Sequence, residues 1–135
     1  TGKTLATHVW FSSFVAFNAL LLLALAANVS RHRVRSRVSL GDGADQQLMI
    51  AIRAHSNGIE QVPIFACALL VLSLQASSTV TLAVFSIGFS FARLLHAAGM
   101  LNNYIPARRL GAGLSYLLQL LAVGFTIKST VLLLQ

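Results

Sequence analysis

A single cysteine, Cys67, excludes an intrachain disulfide framework and any metal site built from several thiolates. It sits among Phe65, Ala66, Ala68 and Leu69 and reads as a packing residue, not a nucleophile. Charge is nearly as scarce: charged residues make up 10% of the chain, against a hydrophobic fraction of 56%. With a mean hydropathy of +0.77, 135 residues of this composition are too apolar for a soluble domain of that size, and the class is integral membrane protein. A formal net charge of +7 would suit a nucleic acid. The basic residues, however, lie beside apolar runs and do not interleave with exposed aromatics, so membrane topology accounts for them and no nucleic-acid partner is expected. No Ser-His-Asp or Cys-His triad and no phosphate-binding glycine loop can be read. His55 and His96 are too isolated for a metal site, and no metal is expected. Internal repeats and low-complexity segments are also missing.

What is present is a series of four apolar spans, at about 8–29, 45–75, 78–101 and 107–134, each near or above the roughly 20 residues that cross a bilayer. They predict a single all-α domain, a bundle of four transmembrane helices. The first span carries no charge. Ala24-Leu25-Ala26 resembles a signal-peptide cleavage site, but removing this segment would leave three spans, so a retained helix is the better reading. The chain opens at Thr1 without an initiator Met, as a processed or trimmed terminus would.

Four arginines follow in Arg31-His-Arg-Val-Arg-Ser-Arg37, then the turn-rich Ser39-Leu-Gly-Asp-Gly43, and this arginine-rich loop marks the cytoplasmic side. Its expected partners are anionic membrane lipids. Asp45 is suited to cap the second span. Gln75-Ala-Ser-Ser-Thr79 reads as a short outward turn, and Asn102-Asn-Tyr-Ile-Pro106 as a tight connection with Pro106 in a first helical turn. Lys128 snorkels to the outer interface. Both termini are thereby expected on the periplasmic side.

The polar groups inside the spans are the informative ones, because a charged side chain in a bilayer costs at least about 2.5–3.5 kcal/mol and therefore faces the protein interior. In Arg53-Ala-His-Ser-Asn57-Gly-Ile-Glu60-Gln-Val-Pro63, the residues Arg53, Asn57 and Glu60 are spaced i, i+4, i+7 and share a helix sector of about 60°. His55 falls on the opposite side, toward a neighbouring helix or subunit. Pro63 ends the stretch by removing a backbone donor, which kinks the helix or frees the carbonyl of Ile59. Arg53 lies eight residues beyond Asp45, about 12 Å along a helix, in the cytoplasmic half. The third span is interrupted by Arg93 and His96, spaced i, i+3 on one face with Met100 at i+7, and as it runs back these return to the depth of Arg53 to Glu60. On the fourth span Arg109, Gly113 and Tyr116 form one stripe, while Gly111 and Ser115 form a small-xxx-small face for close packing. A cationic intramembrane site from Arg53, Arg93 and Arg108 or Arg109, with Asn57 and Glu60 beside them, asks for an anion. A ligand with two carboxylates and an ammonium satisfies both the arginines and Glu60. A pairing of Glu60 with Arg53 or Arg93 that only fixes bundle geometry is the alternative.

These residues resemble a known family. Arg53 to Phe65 is similar to the second-helix signature of MAPEG, the membrane-associated proteins in eicosanoid and glutathione metabolism. Phe91-Ala-Arg93-Leu-Leu-His96 and Arg109-Leu-Gly resemble the family's third helix and the start of its fourth, and the similarity spans essentially the whole chain, on the side of a bacterial branch. The resemblance implies a homotrimer in the bacterial inner membrane, with glutathione held between subunits at the cytoplasmic side and a lipophilic second substrate arriving from the bilayer. It implies that Arg53, Asn57 and Glu60 hold the glutathione backbone and charged ends, that Arg93 and His96 support them, and that His55 or Arg33 reaches in from the adjacent subunit. Arg109, or else Arg108, would stabilise the thiolate, giving a transferase or peroxidase with glutathione as co-substrate. Gln61, His96 and Met100 stand where the better-known enzymes often carry tyrosines, for which Tyr104 and Tyr116 would compensate. A non-catalytic binding protein for a lipid or small anion is the second reading. A transporter subunit has little support, since no span carries a continuous polar face.

Overall fold

The computed structural model describes residues 2–75 and 77–135, with the side chains of Lys3 and Thr4 outside that description. Thr1 and Ala76, the second residue of the expected outward turn, lie outside the described residues. The described residues form four helices: α1 Gly2–Ser36, α2 Gln46–Leu74, α3 Thr79–Leu101 and α4 Ile105–Leu133. All four are long and apolar enough to cross a membrane.

The first helix corrects the sequence expectation. The arginine-rich segment is not a loop but the last turns of α1, which runs on to Ser36. Nothing between Val29 and Ser36 breaks a helix, and arginine is a good helix former. The helix stops in a Schellman arrangement: the Val38 N–H donates to the Arg33 carbonyl at 3.1 Å and Arg37 N–H to the Val34 carbonyl at 3.4 Å. Arg37 takes the left-handed position with φ 55°. The end of α3 repeats the device, with Tyr104 N–H on the Gly99 carbonyl at 2.9 Å and Asn103 at φ 53°, a residue better suited to that conformation.

Asp45 caps α2, accepting from the backbone N–H groups of Gln47 at 2.9 Å and Leu48 at 3.1 Å and from the Ser36 hydroxyl. The Ser36 hydrogen bond, followed by the one from Leu48, holds its carboxyl below the usual aspartate value, against the opposing effect of desolvation. Arg33 closes the same link by donating to the Gly41 carbonyl at 2.8 Å. Pro63 lies inside α2, which continues past it to Leu74. Proline takes away one N–H, and the helix absorbs the loss at the Ile59 carbonyl.

In the bundle α2 and α3 pack against each other and against both outer helices, whereas no Cα of α1 comes within 8 Å of one in α4 among the described residues. The four helices thus form a rhombus whose short diagonal is α2 and α3. Its main core is aromatic: Phe65 and Phe89 stack with centroids 3.8 Å apart, flanked by Phe14 and Phe85. A smaller cluster of Leu25, Ala54 and Ala97 lies toward the arginine end. Cys67 is not a core residue; it faces outward from the bundle.

Candidate functional site

The site is built on small residues. A Cβ at Gly111 would come within 2.5 Å of the His96 backbone nitrogen and 2.7 Å of the Ala92 carbonyl oxygen, and one at Gly99 within 2.4 Å of the Arg108 nitrogen. Only glycine at these two positions lets the backbones of α3 and α4 approach so closely. That approach carries Arg108 to the end of α3 and brings Ser115 against Arg93.

Arg93 is buried and holds three helices together. Its guanidinium donates to Ser115 Oγ on α4 at 3.2 Å, to Asn57 Oδ1 on α2 at 2.5 Å and to His96 Nδ1 on its own helix at 3.0 Å. The Ser115 hydroxyl in turn donates to the Gly111 carbonyl at 2.8 Å. The guanidinium thus places three of its five N–H donors on side-chain acceptors, with no counter-charge among them. All three partners are neutral, so the pairing of Arg93 with Glu60 does not form. Its Nε remains without a protein partner.

In front of this node lies a cavity of about 90 Å³ lined by Arg53, Ser56, Asn57 and Glu60 of α2, His96 and Met100 of α3, and Arg108 of α4. The spacing of Arg53, Asn57 and Glu60 does bring them to one face. Met100 and Arg108 also line a second, more apolar cavity of about 240 Å³, with Ile50, Gly99, Asn103 and Ile105. The two spaces adjoin at the arginine end of the bundle.

Other expected site residues stand elsewhere. Arg109 does not line the cavity; with Gly113 and Tyr116 it is exposed on the outside of α4. The inward stripe of that helix is Arg108, Gly111 and Ser115, spaced i, i+3, i+7. The sequence held the signal in the small residues themselves, since the face that packs closely also fixes which of the two exposed arginines borders the cavity. Tyr104 is 60% exposed at the start of α4 and does not line the cavity. His55 is half-buried away from it, and Arg33 is engaged with its own loop. Gln61 accepts from Gln119 Nε2 at 2.7 Å, tying α2 to α4 outside the cavity. Among the described residues no cluster of His, Cys, Asp and Glu has the makings of a metal site.

Sequence reasoning passed over Asn18, which is fully buried in α1. Its amide donates to the Phe14 carbonyl at 3.0 Å and to Ser90 Oγ on α3 at 2.9 Å, pinning α1 to α3. An asparagine in a span without charges was the available signal.

Against known proteins, the description of the MAPEG family matches residues 11–128. Two relatives, both called inner membrane protein YecN and from two strains of Escherichia coli, are each 31% identical over 110 residues, covering 82% of this chain and 84% of theirs.

Proposed function

Because the chain belongs to the MAPEG family, we propose that it is a bacterial inner-membrane protein that binds glutathione at the arginine end and uses its thiolate against lipophilic electrophiles or lipid hydroperoxides. The observation that carries this reading is the cavity where α2, α3 and α4 meet. It sets two guanidinium groups, Arg53 and Arg108, an amide, Asn57, and one carboxylate, Glu60, around a common space. Glutathione offers a carboxylate that suits Arg53 and an ammonium that suits Glu60, which leaves Arg108 for the sulfur.

The volume of about 90 Å³ is below the roughly 300–1,000 Å³ of pockets that enclose a small ligand. Arg53, Glu60 and Arg108 are moreover exposed in the protomer. Both facts suit a site completed by a neighbouring copy, as in a homotrimer, where the neighbour covers the open side. The arginine end faces the cytoplasm in this reading, by the excess of arginine there, and both termini face the periplasm.

Arg108 is the residue that stabilises the thiolate. A guanidinium beside a thiol favours the charged form and raises the population of the nucleophile at neutral pH. The thiol proton passes to solvent at the open end. The sulfur lone pair then forms a bond to the electrophilic carbon as the leaving group departs with its electron pair, or attacks the terminal hydroperoxide oxygen. The latter breaks the O–O bond to leave a glutathione sulfenic acid and an alkoxide that takes a proton from solvent and departs as the alcohol. In the second case another glutathione completes the reduction and leaves as the disulfide, with water.

The test is the ultraviolet difference spectrum on adding glutathione to the purified protein at neutral pH. A thiolate band is expected in the wild type and in Arg109→Ala, and its loss in Arg108→Ala. If glutathione raises the melting temperature without any band, the protein binds the tripeptide without activating it. If neither signal appears, glutathione is not the ligand.

A further inference from the structure

Arg93 does not line the cavity, yet it engages two residues that do. Each of them, Asn57 and His96, has an accepting end and a donating end, and in both the accepting atom is turned back to the guanidinium. The direction of these bonds is fixed by chemistry, because a guanidinium has only donors. Nδ1 of His96 must therefore be the bare nitrogen of a neutral imidazole, which places the ring proton on Nε2. The Asn57 amide is likewise held with Oδ1 toward Arg93, which leaves its Nδ2 donors without a protein partner. Ser115 fits the same direction of donation, since its own proton goes to the Gly111 carbonyl.

We infer that Arg93 is a positioning residue that sets the polarity of the cavity: by occupying the acceptors of Asn57 and His96, it leaves the cavity wall on α2 and α3 presenting N–H donors to an anionic part of the ligand. With Arg53 and Arg108 also donating, Glu60 is the only anionic side chain on that lining and so the one that best takes a cationic group. The site thus has a sense of direction. An anionic group belongs against His96, Asn57 and Arg108, and a cationic group at Glu60.

The consequence for His96 is specific. It serves as a neutral hydrogen-bond donor through Nε2, and is not free to accept a proton at Nδ1 while Arg93 holds that atom. The assignment of glutathione as the anion rests on the function proposed above. The polarity of the wall does not.

Two measurements test it. In protein labelled with 15N histidine, with the His96 signals assigned by their loss in His96→Gln, the ligand-free wild type is expected to show a protonated Nε2 and an unprotonated Nδ1. A protonated Nδ1 would overturn the inference whatever the ligand is. In Arg93→Gln the fixed tautomer is expected to give way to exchange between the two. If that variant does not fold, the wild-type spectrum still decides.

The second measurement is glutathione affinity. A glutamine at position 96 can place an amide donor near Nε2, whereas an asparagine reaches only the position of Nδ1. His96→Gln is expected to retain most of the affinity and His96→Asn to lose about tenfold or more. Equal loss in both, or none in either, removes the role of the Nε2 donor. Wild-type protein that shows the expected tautomer but no affinity for glutathione would refute the glutathione reading and leave the role of Arg93 standing.

Discussion

The two halves of the bundle are held by opposite means. Toward the turn between α2 and α3 the helices are spaced by large rings, with Phe14, Phe65, Phe85 and Phe89 filling the centre. At the arginine end the buried positions are small, Ala51, Ala54, Gly58, Ala92, Ala97 and Gly99 among them, and helices meet almost backbone to backbone. The difference shows how a short membrane protein makes room for polar chemistry. Close backbones on one side of each helix leave the long side chains of Arg53, Glu60 and Arg108 to converge in a shared space, while the aromatic half supplies rigidity.

Truncating a ring should separate these roles most visibly. Phe89→Ala removes a stacked partner of Phe65. Lipid is as apolar as the core, so the loss is one of packing and not of water transfer, about 3 kcal/mol. Thermal unfolding in detergent should show it, with glutathione affinity unchanged; a parallel loss of affinity would mean that the halves are not independent. Gly111→Ala works from the other side. The added methyl meets backbone atoms of α3 that cannot rotate away, and the cost is about 1–2 kcal/mol. Here the effect on the site should exceed that on stability, because α4 must move and Arg108 with it. A melting temperature that falls while the thiolate band stays would contradict the account of how the cavity is assembled.

The smallest effect belongs to the link between α1 and α2. The Asp45 carboxyl titrates below 3.8, its ordinary value. A depressed acid stabilises the fold above its unfolded pKa, and that contribution is lost as the pH falls through the lower folded value. Protection of the Gln47 and Leu48 amides against hydrogen exchange should therefore weaken on acidification below 3.8. Asp45→Asn should remove the pH dependence and leave the cavity as it was. Identical acid behaviour in wild type and variant would assign the loss to another group.

Much of this was legible in the sequence. Four spans follow from hydropathy, and the face shared by Arg53, Asn57 and Glu60 follows from helical spacing, which is a property of one helix. What escaped depends on how helices are rotated against one another. Arg108 and Arg109 are adjacent, about 100° apart around the axis, and only the fit of Gly111 against α3 decides between them. The link from Gln61 to Gln119 requires the relative height of α2 and α4, which neither sequence segment contains. Asn18 went unseen because the search weighed charge, whereas a buried amide needs only Phe14 and Ser90 to satisfy its donors. The helical arginines of α1 were hidden by a topological signal, since positive charge near a membrane surface is compatible with helix and loop alike.

The separation of α1 from α4 has a consequence for how this protein tolerates change. Substitutions at positions of these two helices that share no neighbour on α2 or α3 should have free energies that sum. Each outer helix can then drift in sequence or be redesigned on its own, with α2 and α3 as the common constraint. Mutational epistasis should accordingly concentrate along the inner pair and be weakest between the two outermost helices.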